Sequence, residues 1–348
     1  MSIFQLNKLT EQRTHRGPSD LVALDFATTG LKVVRIKKTK EATTILGVDL
    51  LPAVSIEQES SADEADKSRI AIPKNLLSNY AAVTLSGESS VVRFLNLPGH
   101  PEKEEIMETQ AREHAGLGDE YRLAYMVMPH HVRGKAETRL LVVGLPENDA
   151  QGILGLMAAG IPAPISLEVS GISAFTSFLN GPGAKLEHEA YAVLETGARV
   201  SFLGLFNKDS LVLVRKFEFG GDALVAKVQQ QLGVDREVAQ GVMSDGSFDI
   251  SQSVHEVMDP FLRQLSVSKD YVERREECRI ASINLSGGMS LSKYWVDEIR
   301  NATGVQVQTW DPFEGLTVES SAIPEKLQNQ RPRFTAAIGA ALGAYQAS

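Results

Sequence analysis

The alternation of apolar and polar positions near the start of the chain predicts an antiparallel meander. Residues 21–38 read LVALDFATTGLKVVRIKK, which is two apolar strands joined by a polar tip over 25–29 and then Gly30. A third strand is predicted over 43–51. Most hairpins turn on Asn-Gly or Asp-Gly, whereas this tip places an acid and two hydroxyl groups before Lys32. The tip therefore suits either a polyanion or an ordinary polar hairpin.

The same order of elements recurs in the second half of the chain. The run Asn180-Gly181-Pro182-Gly183 is typical of a hinge. After it, a predicted strand over 190–194 ends in a second polar tip, Glu195-Thr196-Gly197, and strands over 200–206 and 210–219 follow. A repeated strand, acidic tip and two further strands indicate an internal duplication.

A compact α+β segment interrupts the first half. Its predicted elements are a strand over 91–97, a helix over 101–114, strands over 121–129 and 139–143, and a helix over 147–159. A short helix over 72–80 and a strand over 81–85 precede it, and a strand over 165–169 and a helix over 171–179 follow it. His130 and His131 lie at the polar end of a strand, where a solvated loop is expected rather than a pair of metal ligands.

Two glycine pairs punctuate the second half. A helix is predicted over 223–231 after Gly220-Gly221, and its start could present backbone N–H groups to an anion. A strand over 280–285 runs into Ser286-Gly287-Gly288-Met289. The remaining predicted elements are helices over 234–242, 250–275 and up to residue 299, a strand over 304–307, and a helix of small residues over 335–347 that should pack closely on a sheet.

Length and charge narrow the class of protein. A chain of 348 residues is expected to form two domains or lobes. The net charge of -9 argues against nucleic acid as a partner, because phosphate backbones require a basic surface. A single cysteine, Cys278, cannot form an internal disulfide, which favours a reducing cytoplasm. No apolar run is long enough to span a bilayer. The tail over 1–19 could be a basic amphipathic segment or a partly docked end.

The two polar tips predict a site for a phosphate chain. Thr28, Thr29 and Gly30 offer hydroxyl and backbone N–H groups, and Lys32 offers a positive charge. Asp25 and Glu195 could organise the water shell of a bound Mg²⁺. The sequence contains no G-x-x-x-x-G-K-[ST] motif and so is not a P-loop protein. Close backbone approach to a nucleoside is expected at the pairs Gly220-Gly221 and Gly287-Gly288. Gly197 of the second tip and Met289 are further candidate cofactor-binding residues.

Five short runs occur in the order found in actin-like ATPases. They are DFATTGLKVV, ETG, FGGDAL, LSGG and AAIGAALGA. The inserted segment NLPGHPEKEEIMETQAREH resembles the small subdomain of the type IV pilus assembly protein PilM family, whose relatives include the division protein FtsA. The resemblance covers residues 20–347. It implies an α/β actin-like two-lobe fold of duplicated ribonuclease H-like domains, with the small α+β subdomain inserted in the first lobe.

The resemblance also implies a division of the chain. A tail over 1–19 precedes a first lobe made of 20–85, 161–188 and 331–348, with the inserted subdomain over 86–160. The second lobe is made of 189–220 and 279–330, with a further subdomain over 221–278.

In function, the resemblance implies a cytoplasmic scaffold at the inner face of the inner membrane. The scaffold would bind the cytoplasmic N-terminal tail of a single-pass PilN-like partner, in a groove lined by 91–97 and 101–114, and would reach the membrane only through that partner. It would also bind ATP and Mg²⁺. Whether the chain also forms a homo-oligomer is left open.

Several positions depart from the family pattern at the nucleotide site. Ala27 stands at a customary glycine, Glu195 at a customary aspartate, and Ser170 where an acidic or polar residue positions the attacking water. Gln240 and Met243 align with the Glu and Lys that usually face the adenosine. Because phosphoryl transfer depends on positioning and charge stabilisation, the departures imply weak or no hydrolysis.

Two alternatives use the same fold. One is an active sugar or acetate kinase, which the inserted subdomain and Ser170 disfavour. The other is a filament-forming protein like FtsA, which ends in an amphipathic membrane helix, whereas this chain ends in AAIGAALGAYQAS without a charged face.

Overall fold

The structure of the protein is a computed structural model that describes residues 4–5, 18–54, 70–99, 104–128, 137–157, 160–186, 189–208, 210–245 and 251–346. The described residues form two compact units. One lies within Met1–Ala184 and Pro312–Ser348, and the other within Lys185–Asp311. The acidic stretch 55–69 and both His130 and His131 lie outside the described residues.

Strands build one sheet in the second unit and two in the first. They are β1 (Phe4–Gln5), β2 (Asp20–Ala27), β3 (Gly30–Lys38), β4 (Thr43–Leu51), β5 (Tyr80–Leu85), β6 (Val91–Pro98), β7 (Tyr121–Met128), β8 (Glu137–Pro146), β9 (Ala163–Val169), β10 (Ala190–Thr196), β11 (Ser201–Asn207), β12 (Ser210–Phe217), β13 (Ile280–Ser286), β14 (Gln306–Thr309) and β15 (Thr317–Val318). The helices are α1 (Glu104–Ala115), α2 (Glu147–Gly155), α3 (Ser170–Leu179), α4 (Gly221–Leu232), α5 (Arg236–Asp245), α6 (Ser251–Arg275), α7 (Lys293–Thr303) and α8 (Thr335–Gln346).

The two large sheets share one strand order. The first runs β1-β9-β5-β2-β3-β4-β15 and the second runs β12-β11-β10-β13-β14. In each, a meander of three antiparallel strands is extended by two parallel strands, β5 and β9 in the first and β13 and β14 in the second. This shared order confirms the predicted duplication.

The core of the first unit depends on a helix of small residues. Helix α8 is buried from Thr335 to Tyr345 and packs across the first sheet. Its neighbour α3 approaches so closely that a Cβ added at Gly339 would lie 1.7 Å from the carbonyl oxygen of Ser173. The prediction that this helix packs closely on a sheet is confirmed.

The inserted segment has its own small core. Strands β6, β8 and β7 form a three-stranded antiparallel sheet with β8 in the centre. Helix α1 packs on it, burying Ala111 and Ala115 against Leu97, Leu140 and Val142. The predicted α+β character of this segment is confirmed.

Aromatic packing fills the second unit. The ring of Phe219 stacks on the rings of Phe261 and Trp295 at centroid distances of 4.7 and 5.7 Å. Phe261 lies on α6, which runs unbroken through Pro260 for 25 residues, and Trp295 lies on α7. Because these rings come from separate elements, they fix both helices on the sheet.

Three sequence expectations are wrong. No helix forms over 72–80, where Pro73 precedes a turn at Lys74–Leu76 and Tyr80 already begins β5. Helix α2 ends at Gly155 rather than at residue 159. Residues 312–330, expected in the second lobe, lie in the first unit, because their apolar side chains, Phe313, Ala322, Ile323 and Leu327, pack in the core of that unit.

Candidate functional site

The first polar tip is shorter than its sequence suggested. Strand β2 continues to Ala27 and β3 begins at Gly30, so Thr28 and Thr29 alone form the turn. Asp25 is therefore not on an exposed tip. It is 3% exposed and stands opposite Lys32 in the ladder between the two strands.

A row of polar side chains crosses four neighbouring strands at this point. Lys32 on β3, Asp25 on β2, Thr84 on β5 and Glu168 on β9 are successive partners in the ladders. Partners directly opposite each other project from the same face of a sheet, and all four residues are buried. The row lies near the carboxyl ends of parallel strands, where open α/β sheets bind ligands.

Burial and charge oppose each other at Asp25. Its Oδ2 atom lies 3.2 Å from the Nζ atom of Lys32, which is itself only 6% exposed. Burial raises the pKa of the Asp25 carboxyl, while the charge and hydrogen bond of Lys32 and the charge of Arg333 act to lower it. The second oxygen, Oδ1, is buried and has no hydrogen-bond partner among the described residues.

Glu168 is a site residue that the sequence analysis missed. Its Oε2 atom accepts a hydrogen bond of 2.7 Å from the hydroxyl of Ser173 on α3, and the same hydroxyl lies 3.5 Å from Oγ1 of Thr84. The signal was an acid inside the apolar strand over 165–169. Ser170, the predicted position after this strand, donates its hydroxyl to the carbonyl oxygen of Ser86 at 3.3 Å.

Arg333 is a second residue that the sequence analysis missed. It lies near the end of the 3₁₀ helix Glu325–Phe334, and its Nη2 atom is 3.3 Å from Oγ1 and 3.4 Å from the carbonyl oxygen of Thr29. The adjacent Thr28 hydroxyl donates to Oε1 of Glu88 at 3.3 Å. Both threonines of the tip are thus held by residues distant in sequence.

The second tip has a different residue opposite its acid. Strand β10 continues through Glu195 to Thr196, and Glu195 is buried. Its ladder partners are Phe202 on β11 and Ser286 on β13, so an aromatic ring stands where the first repeat has Lys32. The two tips share a position in the fold but differ in charge.

The predicted glycines gather around the second tip. A Cβ at Gly220 would lie 2.4 Å from the carbonyl of Ala198, and one at Gly287, where φ is +83°, would lie 2.4 Å from the carbonyl oxygen of Thr196. A Cβ at Gly197 would lie 2.9 Å from the carbonyl oxygen of Val200. At these three positions the close approach is to the tip's own backbone.

The other predicted positions of the second unit are less crowded. A Cβ at Gly221 would lie 3.4 Å from Cγ of Met289, and one at Gly288 would have nothing within 4 Å among its described neighbours. Met243, on α5 with Gln240, packs partly buried against the core of the unit.

The start of α4 does not present the free N–H groups that the sequence suggested. The N–H of Gly221 donates to the carbonyl of Gly197 at 3.1 Å, that of Asp222 to Ala198 at 2.8 Å, and that of Ala223 to Gly220 at 3.1 Å. The first two bonds join the helix to the turn that holds the second tip. The Asp222 carboxylate also pairs with Arg199, at 3.5 Å, and with Arg236.

The site fits a metal held through water and phosphate. Within the described ranges, no cluster of three or more His, Cys, Asp or Glu side chains could hold a metal ion directly. Mg²⁺ usually keeps several waters and binds through one or two carboxylates and substrate phosphates. The buried Oδ1 of Asp25, which has spare acceptor capacity, suits such a water.

None of the helices described in the structure is long and apolar enough to cross a membrane.

Several solved structures are similar to this chain over most of its length. A structure described as the PilM-PilN type IV pilus biogenesis complex matches with a TM-score of 0.78 and 20% identity, covering 94% of this chain and 99% of that chain. The ethanolamine utilization protein EutJ from Carboxydothermus hydrogenoformans matches with a TM-score of 0.46 and 12% identity. This match covers 94% of this chain and 91% of EutJ. A Bacteroides thetaiotaomicron protein described as having an actin-like ATPase fold matches with a TM-score of 0.45 and 10% identity. This match covers 90% of this chain and 95% of that chain. The predicted actin-like two-lobe fold is confirmed.

Comparison with family models identifies the family. Residues 23–345 match the model described as type IV pilus assembly protein PilM. This match confirms the resemblance that the five runs and the inserted segment indicated. Since it spans nearly all of the 348 residues, the chain belongs to the PilM family of type IV pilus assembly proteins.

Proposed function

We propose that this chain is an ATP-binding scaffold of a type IV pilus or related assembly machine, and that it binds the cytoplasmic N-terminal tail of a PilN-like inner-membrane protein. The observation that carries the nucleotide part is the buried row of Lys32, Asp25, Thr84 and Glu168 at the carboxyl edge of the first sheet. Buried charges of this kind cluster at functional sites.

The phosphates of ATP would lie at the first tip. Thr28, Thr29 and Gly30 offer hydroxyl and backbone groups at the turn beside the row. A bound Mg²⁺ would be held by the phosphates and by water on the Asp25 carboxylate.

Hydrolysis in this proposal is slow or absent. Glu195 lies opposite Phe202 in its ladder, whereas Asp25 lies opposite Lys32. Glu168, one of the carboxylates near the first tip, is fully buried and bonded to Ser173. Positioning an attacking water requires a polar side chain within hydrogen-bond reach of it, and Glu168 would have to leave Ser173 to do so.

The proposed partner surface lies on the inserted segment. Strand β6 stands at the edge of the three-stranded sheet and pairs on one side with β8. An edge strand can accept an extended peptide as a further strand, and Ile106 on the neighbouring helix α1 is an exposed apolar side chain. The family to which the chain belongs, and the PilM-PilN description of a similar structure, support a PilN-like occupant. Such binding would hold the chain at the inner face of the inner membrane.

Titration calorimetry tests both ligands. We expect the full chain to bind ATP with Mg²⁺, and to bind a peptide that copies the cytoplasmic tail of the PilN-like protein encoded beside it. Lys32→Ala should weaken ATP binding by roughly 10-fold or more, because Asp25 then remains beside the phosphates as a buried negative charge without its cation. Lys37→Ala, which changes an exposed lysine of the same strand, is the matched control and should bind like the wild type.

The two parts of the proposal can fail separately. Absence of heat with ATP in the wild type would remove the nucleotide part and leave a scaffold that works without it. Absence of peptide binding in the wild type would remove the PilN-like partner. Circular dichroism spectra of both variants establish that a lost signal does not reflect unfolding.

A further inference from the structure

We propose that Arg333 is the residue that supplies an uncompensated positive charge to the nucleotide phosphates at the first tip. The inference rests on the proposed ATP binding and names a contact for it. The family motifs in the sequence pointed to Lys32 for this role. The structure assigns the two cations different tasks.

Lys32 is already neutralised by a buried partner. Its Nζ atom lies 3.2 Å from Oδ2 of Asp25, and the side chains of both residues are less than a tenth exposed. A buried cation with a carboxylate at this distance contributes little net positive charge to its surroundings. The nearby Glu88 carboxylate, which accepts from Thr28, adds negative charge at the tip. A polyanion therefore needs another cation there.

Arg333 meets that need from a distant part of the chain. Its Nη2 atom lies 3.3 and 3.4 Å from the two oxygens of Thr29, and its Nη1 atom donates to Oε1 of Gln330 at 2.6 Å. All of these acceptors are uncharged. In the part of the chain that the structure describes, no carboxylate lies within ion-pair distance of Arg333. An arginine keeps its charge in proteins, so this charge is available.

The geometry of the guanidinium suits a phosphate. It carries five N–H donors in a planar fork that can bind two oxygens of one phosphate. The bonds to Thr29 are long compared with the usual 2.9–3.0 Å, so exchanging them for phosphate oxygens loses little. Thr29 itself is one of the two residues of the turn. Arg333 is therefore within reach of any phosphate that the turn holds.

The chain offers a matched control two residues away. Arg331 lies on the same 3₁₀ helix, but its guanidinium stacks on the ring of Phe313 at 4.6 Å. Changing Arg331 removes the same charge from the same helix without removing the contact to the tip. It separates a local charge at the tip from a general loss of positive charge.

The experiment compares the wild type with three variants, Arg333→Gln, Arg333→Lys and Arg331→Gln. Titration calorimetry measures the binding of ATP with Mg²⁺ at several salt concentrations and, separately, the binding of adenosine. Arg333→Gln should weaken ATP binding by roughly 10- to 100-fold, the usual effect of one hydrogen bond to a charged group. It should also make ATP binding less sensitive to salt, and should leave adenosine binding unchanged. Arg333→Lys should recover part of the ATP affinity, and Arg331→Gln should match the wild type.

The outcomes distinguish this inference from the proposed function. If the wild type binds ATP and Arg333→Gln binds it equally well, the inference is wrong and the proposed function stands. If Arg333→Gln loses ATP and adenosine alike and melts at a lower temperature, Arg333 serves only to hold the tip, which also overturns the inference. If the wild type binds no ATP, the proposed nucleotide function falls and this inference falls with it.

Discussion

At the scale of single residues, the ion pair of Asp25 and Lys32 occupies positions that alternation assigns to the core. Leu21, Ala23 and Asp25 project from the same face of β2, and the first two are buried in the apolar core of the unit. A buried ion pair gains little stability over apolar residues of similar size, whereas removal of one partner costs several kcal/mol. The pair is therefore better explained by a ligand than by stability.

The pH dependence of stability reports on this pair. Burial raises the pKa of Asp25, so between its ordinary and its raised pKa the folded state binds more protons than the unfolded state. Stability therefore falls as the pH rises through that window. Lys32→Met removes the charge and hydrogen bond that lower the pKa, which extends the window to higher pH. We expect the loss of stability in Lys32→Met to grow with pH, by up to about 1.4 kcal/mol for each unit of further pKa shift.

Urea denaturation of the wild type and Lys32→Met between pH 5 and pH 9 measures this effect. Lys37→Met is the control, because Lys37 lies exposed on the same strand, and its effect should not change with pH in this range. If the difference in free energy of unfolding between the wild type and Lys32→Met stays constant with pH, Lys32 does not control the protonation of Asp25.

The sequence predicted the members of the site that lie within one motif. Asp25, Thr28, Thr29 and Lys32 are close in the chain, so their types and spacing were enough to associate them. Glu168 and Arg333 were missed because β9 and the 3₁₀ helix Glu325–Phe334 reach the first tip only after the sheet has formed. No local pattern identifies Arg333, and the one local signal for Glu168 is an acid inside an apolar strand.

At the scale of elements, the contact between α3 and α8 is the tightest approach at a glycine in the described part of the chain. A Cβ at Gly339 would lie 1.7 Å from a backbone oxygen of Ser173. Backbone atoms cannot move aside like the end of a flexible side chain, so the helices would have to separate. Ser173 also donates to Glu168, which means that this packing positions a residue of the candidate site.

Gly339→Ala should therefore destabilise the protein by about 3 kcal/mol, at the upper end of the cost of overpacking. Gly241→Ala is the control, since Gly241 lies on α5 and a Cβ there would meet nothing within 4 Å. That change should stabilise the protein by about 0.5–1 kcal/mol through helix propensity. Chemical denaturation measures both, and equal effects of the two changes would contradict the role assigned to this contact.

Strands were predicted better than the segments between them. The runs over 43–51, 81–85 and 280–285 correspond to β4, β5 and β13, because short, mostly apolar runs are typical of strands. The short helix over 72–80 was wrong because a few apolar residues near helical spacing do not outweigh Pro73 and the start of β5. The first tip was predicted to begin at Asp25, because a polar residue inside a strand resembles the start of a loop. Strand β2 in fact continues to Ala27.

At the scale of the whole molecule, duplication is the feature that the sequence predicted best. Each repeat has the strand order third, second, first, fourth, fifth. The repeated pattern of strand, tip, strand and strand predicted the first three of these strands as a meander. The boundary between the units was predicted less well at 312–330. The sequence of that stretch has few apolar residues, and its assignment depends on Phe313 and Leu327 packing in the first core.

The second unit should fold when separated from the rest of the chain. Residues 185–311 are continuous, contain a complete five-stranded sheet, and bury an apolar core in which Phe219, Phe261 and Trp295 stack. A domain with its own core and sheet can fold alone. We expect the fragment 185–311 to unfold cooperatively in urea, with coincident transitions by circular dichroism and tryptophan fluorescence.

The fragment 185–279 is the control and should show no cooperative transition, because it lacks β13 and β14, and β13 lies between β10 and β14 in the sheet. A fragment 185–311 that unfolds without a cooperative transition would show that this core is stable only within the full chain.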